Sequence, residues 1–474
     1  MHIRSIVGLR DALCRAIISF VVLSAVLSTA SAAEPRNFAL SNAHPVWDVA
    51  AEDLNGDGAK DLVLLGCDEN SYPLEKSVAL FIANGGGKYS DKPDHVLSIA
   101  PESAAIFFAE VDGAAPQELV TIHGRGATVY TYRDGIFEET SAPQFHSLYP
   151  TGSKNPIVLR RGAEDMDGDG IDEWLVPVPE GYEIRHVDEV LARVSCDMYS
   201  ELRHGSSLYV YHRFPALLPY EIPGSKSKGL AMLSDEFADF AYGENWGEHW
   251  RFQIPVNLEE KWEASSRMED INNDNFPDLV VTQTRGTAKL EAQTQIYIAE
   301  APYTYPEKPD ATFIAKGALV SPIILDVDGD EKKDVLIVNI PFGLKNLVNF
   351  FMRGKVAVNL DVYRYGEDGY PDTSTFHNAL TMDAPEGREQ VAYTMGDFNG
   401  DERIDMAFSR TVDSLAIHMG GPKDLIASKP TYIIDLPSFG QARSMNLRSE
   451  DHKDIVLFHP GGEKNKQVEV ILFD

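Results

Sequence analysis

The chain has 474 residues, and its 73 Asp and Glu against 42 Lys and Arg give a formal net charge of −31. That acidity argues against nucleic acid as a partner, because a phosphate backbone is held by surplus Lys and Arg. Three cysteines, Cys14, Cys67 and Cys196, are too few for a disulfide scaffold.

Residues 1–33 read as a secretory signal peptide: Arg4, Arg10 and Arg15, then the apolar run IISFVVLSAVL, then Ala30-Ser31-Ala32-Ala33. The run is short for a membrane span, no basic stop-transfer residues follow it, and no later segment is apolar for long enough to cross. The expected localisation is therefore exported: periplasmic, cell-surface or extracellular. Cleavage removes three Arg and one Asp, which leaves −33 on the mature chain. Cys67 and Cys196 fall in non-neighbouring units of the pattern described next, so free thiols are expected.

From residue 53 onward one pattern recurs. DLNGDGAKDLVLL begins at Asp53, DMDGDGIDEWLV at Asp165, DINNDNFPDLVV at Asp270, DVDGDEKKDVLI at Asp326 and DFNGDERIDMAF at Asp397. Oxygen-bearing side chains stand at places one, three, five and nine, and an apolar, strand-like run follows. Ca²⁺ takes six to eight hard oxygen ligands, and a tight loop aims alternate side chains at one point while place seven offers its carbonyl. An EF-hand starts the same way but needs a bidentate Glu at place twelve. Here Leu64, Val176, Val281, Ile337 and Phe408 occupy that place, so each loop joins two strands.

The long intervals between complete copies contain decayed ones: EVDGAAPQELV at Glu110, EIPGSKSKGLAML at Glu221 and, after the last complete copy, NLRSEDHKDIVLF at Asn446. Eight starts, at 53, 110, 165, 221, 270, 326, 397 and 446, are then separated by 57, 55, 56, 49, 56, 71 and 49 residues. Each unit reads as four short strands, the last two meeting at a turn followed by an aromatic, as at Tyr89, Phe137, Phe252 and Tyr370. The expected fold is an all-β, eight-bladed β-propeller of four-stranded blades, with seven blades if the copy at Glu221 is only an insertion. The last unit stops at its third strand, VEVILFD, and the mature N-terminus has a spare strand, RNFAL, to complete it. Closure of this kind removes exposed edges, and residues 34–474 are expected to form one domain. The 71-residue step holds GLKNLVNFFMRG. Leu344, Leu347, Val348 and Phe351 there follow helical spacing, which predicts a short helix over 343–354 packed on the propeller.

These loops resemble those of the FG-GAP and VCBS repeat proteins, calcium-loop β-propellers that include the integrin α-subunit head. The resemblance covers essentially the whole mature chain, and five complete loops are a specific signal where one would be weak. It implies up to five Ca²⁺, each held between the first and second strands of a blade. The implied side-chain ligands are Asp53, Asn55, Asp57 and Asp61; Asp165, Asp167, Asp169 and Glu173; Asp270, Asn272, Asp274 and Asp278; Asp326, Asp328, Asp330 and Asp334; and Asp397, Asn399, Asp401 and Asp405. The implied carbonyls are those of Ala59, Ile171, Phe276, Lys332 and Arg403. The decayed loops are expected to be empty: Ala114 replaces a ligand in the second, Pro223 and Gly229 in the fourth, and Arg448 puts a cation in the eighth. Place six is Gly58 and Gly170 in two loops but Asn275, Glu331 and Glu402 in the others, where glutamate fits a left-handed turn poorly.

Beyond calcium, no GxSxG, HExxH or CxxC motif occurs, and the His are scattered. Trp246 and Trp250 in YGENWGEHWRF suggest either a recognition rim or aromatics packed between blades. The expected role is a binding or scaffold module for a protein or carbohydrate partner, monomeric and without catalytic residues. The competing class is a propeller enzyme, a lyase or hydrolase acting on polysaccharide, which would gather acid and base residues at the mouth of the central channel.

Overall fold

A computed structural model describes residues 34–473, apart from 85–86, 151, 205–207, 257–261, 287–289, 318, 342, 385–390, 423–424 and 449–450. Residues 1–33, the expected signal peptide with Cys14, lie outside the described residues. The chain forms an eight-bladed β-propeller, each blade an antiparallel sheet of four strands running outward in chain order. The blades span residues 46–99, 105–141, 163–195, 216–253, 263–317, 319–383, 393–435 and 441–472. The eighth is completed by Arg36–Ser41, which pairs antiparallel with Gln467–Leu472 from Arg36 opposite Leu472 to Ser41 opposite Gln467. The copy at Glu221 heads the second strand of a full blade, so the seven-blade alternative is set aside.

Burial follows strand position. Second strands are buried along most of their length, as in Asp61–Asp68 and Asp454–Phe458, because both of their faces meet neighbouring blades. Outer strands alternate, as in His95–Ile99, because one face meets water. The core is accordingly distributed between blades. Leu62, Leu64 and Phe81 of blade 1 pack on Val456, Phe458 and Val470 of blade 8. Val63 and Leu65, on the other face of the same strand, meet Ile106 and Leu119 of blade 2. Six further clusters bridge the remaining neighbours, so the apolar contacts close around the ring.

Two departures from regular repetition were hidden in the spacing. The 56-residue step after Asp165 contains a compact third blade and an extra hairpin, Tyr199–His204 paired with Leu208–Arg213, outside the eight sheets. Blade 2 gains a fifth strand, Ile157–Val158, parallel to its innermost strand. The helix forms as expected: α1, Leu344–Arg353, ends at Gly354 in the left-handed conformation (φ 58°). The helix touches the third strand of its blade, but two of the four residues expected to pack there do not. Val348 and Phe351 are exposed, together with Phe350 and Met352. Cys67 and Cys196 are buried free thiols.

Candidate metal centres

In every blade the nine-place loop occupies the same position. Place one follows the last residue of strand one, and place nine is the first residue of strand two. The five complete loops share one backbone path. Places four and six are both left-handed: Gly56 and Gly58, Gly168 and Gly170, Asn273 and Asn275, Gly329 and Glu331, Gly400 and Glu402, all between φ 61° and 91°. A non-glycine residue there costs roughly 1–2 kcal/mol. Glu331 (φ 67°) and Glu402 (φ 65°) nevertheless adopt it, so the turn is imposed by the loop and not chosen by the residue.

What imposes it is the carboxylate at place one. Asp397 accepts the amides of Gly400 at 2.7 Å and Glu402 at 2.6 Å, and Asp326 those of Gly329 at 2.8 Å and Glu331 at 2.9 Å. Asp53 holds Gly56 and Gly58, both at 2.8 Å, Asp165 holds Gly168 and Gly170, and Asp270 holds Asp274 and Asn275. Place five in turn accepts the amide of place seven, the residue whose carbonyl is an expected ligand: Asp57 from Ala59, Asp169 from Ile171, Asp274 from Phe276, Asp330 from Lys332 and Asp401 from Arg403.

Place nine is a buried anchor. Asp61, Asp278, Asp334 and Asp405 are at most 1 % exposed. One oxygen accepts the amide of place two (Leu54, Ile271, Val327, Phe398). The other accepts an amide just beyond the third strand (Ala83, Ala299, Tyr365, Gly420). Burial pushes these carboxyls up to about 6 for Asp61 and Asp334 and about 7 for Asp278 and Asp405, with nearby loop carboxylates adding to the rise and the amide bonds opposing it. Glu173 is raised by burial as well; it accepts the Met166 amide at 2.7 Å and lies 2.6 Å from His186 Nε2.

The donor set suits a hard cation. Ligand oxygens of Asp165, Asp167 and Glu173, and of Asp326, Asp328 and Asp334, lie within 4.8 Å of one another. Oxygens on opposite sides of one Ca²⁺ stand about 5 Å apart at ordinary Ca–O lengths. At place three, Asn272 Oδ1 and Asp328 Oδ1 are buried with no hydrogen-bond partner among the described residues. A buried oxygen without a donor is costly unless something else satisfies it. Sequence reasoning missed one further acidic cluster and two basic neighbours. Glu110, Asp112 and Glu118 of the second loop also converge within 4.8 Å, although Ala114 had marked that loop as empty; glutamate at places one and nine was the available signal. His186 and Arg364 are distant in sequence from the loops they reach, so nothing in the repeat announced them. Arg364 pairs with Asp328.

The eighth loop supplies its own cation. Arg448 Nη2 donates to Asp454 Oδ1 at 2.9 Å and Nε to Oδ2 at 3.2 Å, with Asp454 fully buried. In the fourth loop Lys228 is 3.8 Å from Glu221 and 2.5 Å from Glu164 of blade 3.

At the loop-side mouth of the channel a cavity of about 620 Å³ carries Glu52, Lys60, Glu164 and Asp165, with Val49, Ala51 and Leu159 deeper. Lys60 pairs with Glu52 at 2.8 Å, and Lys228 with Glu164. Trp246 is buried, donating to the Lys228 carbonyl at 3.0 Å, and Trp250 stacks with Phe252 and meets Tyr303 and Tyr305 of blade 5. The recognition-rim reading of these residues is therefore replaced by packing between blades.

No protein-family model matches the chain, and no curated protein matches it. Among solved structures it is similar to the V. cholerae biofilm matrix protein Bap1, at 10% identity over 92% of this chain and 88% of that one, with a TM-score of 0.35. It is also similar to BBS1N in complex with ARL6DN, at 9% identity over 92% of this chain and 96% of that one, with a TM-score of 0.38.

Proposed function

We propose that this is an exported β-propeller of the FG-GAP/VCBS type, in which Ca²⁺ held by the five complete loops rigidifies the disc and the protein serves as a binding or scaffold module. The observation that carries the metal reading is the double left-handed turn, kept in all five loops even where Glu331 and Glu402 must adopt it. Strain retained at one position of a ligand-shaped loop points to a ligand clamp. In each loop places one, three and five and the place-seven carbonyl would face the ion, while place nine ties the loop to the third strand. A bound ion neutralises carboxylates that otherwise repel at close range. Its contribution is to stability through mass action.

The binding role follows from where the charged loops sit: they are spent on holding blades, which leaves the faces and rim for recognition. Export follows from residues 1–33, and a protein or carbohydrate is the expected partner. Capture from the native envelope, with calcium and again with chelator, tests this. Specific partners retained with calcium and released with chelator support the reading. Turnover of a polysaccharide by the pure protein would replace it with the enzyme reading.

A further inference from the structure

Within an antiparallel blade the one-to-two and three-to-four connections share a face, and the two-to-three connection lies on the other. Helix α1 joins the second and third strands of blade 6, so it stands on the face opposite the acidic loops. It is an exposed apolar segment, as is the hairpin Tyr199–His204/Leu208–Arg213. Val348 is 49 % exposed, Phe350 43 %, Phe351 77 % and Met352 78 %. From Pro341 to Leu360 the chain carries Lys345, Arg353 and Lys355 and no acidic residue, within a protein of net charge −31. Lys345 and Arg353 are exposed, and Lys355 pairs with Asp383.

The shape narrows the occupant. Phe350, Phe351 and Met352 are consecutive, and at about 100° per helical residue they fan over roughly 200°. A medium that conforms to each side chain, as the boundary between headgroups and acyl chains does, accommodates such a spread. At the foot of the helix an apolar cleft of about 290 Å³ opens between blades 6 and 7, lined by Ile340, Val356, Met382, Met395 and half-exposed Tyr393. Exposed aromatics beside basic residues, with a half-exposed Tyr at the rim, match the chemistry of a bilayer interface.

We propose that this face docks on an anionic phospholipid bilayer, with Phe350, Phe351 and Met352 entering the interface and Lys345 and Arg353 against the headgroups. The contact is independent of the calcium reading, since the loops lie on the opposite face.

The test is co-sedimentation of the purified protein with vesicles of equal parts phosphatidylcholine and phosphatidylglycerol, and with phosphatidylcholine alone. Binding to the mixed vesicles is expected to weaken with salt and to fall at least about tenfold on phosphatidylcholine alone. The double variant Phe351→Ser/Met352→Ser should lose about tenfold or more per side chain. Lys345→Glu/Arg353→Glu should remove the preference for the anionic lipid. All four positions are exposed, so an unchanged melting temperature confirms that the variants fold. Absence of binding to the mixed vesicles, or binding that both variants leave intact, overturns the proposal. So does a self-association that needs no lipid and that the Phe351→Ser/Met352→Ser variant abolishes, because the face is then a protein interface.

Discussion

Replacing Asp278 with alanine separates the two jobs of a loop. Asp278 Oδ2 accepts the Ile271 amide at 2.8 Å and Oδ1 the Ala299 amide at 2.7 Å. Removing the carboxylate strands two buried donors at about 1–3 kcal/mol each, so about 2–6 kcal/mol in total. Relief of carboxylate burial, which pushes the group up to about 7, offsets part of that. A net loss of about 2–4 kcal/mol is expected, a large share of the roughly 5–15 kcal/mol typical of a native protein. Asp274→Ala is the contrast. Asp274 accepts the Phe276 amide at 2.9 Å and the Asn272 side chain at 2.8 Å, and it sits half-buried at the loop surface. Its loss in chelator should stay at about 1–2 kcal/mol, two modest hydrogen bonds partly offset by relief of repulsion from the neighbouring loop carboxylates, while the stabilisation gained on adding calcium shrinks. Thermal and urea unfolding, each with chelator and with calcium, read both quantities. Equal losses in chelator would refute the anchor role of place nine. A full calcium increment in Asp274→Ala would refute the ligand role of place five.

Arg448→Met leaves Asp454 buried without its guanidinium and should cost about 3–5 kcal/mol by urea unfolding; calcium should not restore it, and no loss would show that the guanidinium is not the loop's internal cation. For Asp61, Asp278, Asp334 and Asp405 the folded pKa lies above the unfolded value. In chelator their contribution to stability is therefore present in full below about pH 4 and lost as pH rises through about 6–7. A calcium ion beside these buried carboxyls favours their ionised form, so its stabilising increment should shrink between pH 7.5 and about 5 in melting curves, and an increment independent of pH would count against metal in these loops. Glu331→Gly and Glu402→Gly relieve a left-handed φ and should be neutral or stabilising by up to about 1 kcal/mol, against the destabilisation of about the same size that Glu→Gly causes at an ordinary helix or strand position.

The blade count was legible because a nine-place spacing ahead of an apolar second strand recurs even in decayed copies. Glu221 opens a full blade although Pro223 and Gly229 have erased its ligands, since the apolar strand GLAML survived. The closing strand was legible from an unpaired end at each terminus. Geometry across blades was not. Arg364 reaches Asp328 and His186 reaches Glu173 through strand pairing, and no local signal marks either contact. The extra hairpin stayed hidden because blade 3 is short enough for the sum to match a normal step. Helix α1 was placed correctly by periodicity, but periodicity tells which side chains share a face and not whether a partner covers it. Phe351 is therefore where sequence and structure part.

Five loops of this propeller are proposed to hold metal. The direct measurement is the calcium content per chain of protein purified without chelator, dialysed against trace calcium and measured by elemental analysis. About five ions per chain are expected, one per complete loop, with the Asp326 loop filling last because Arg364 already engages Asp328. A content near zero, in protein that still melts as one folded species at an unchanged temperature after chelation, would contradict the claim.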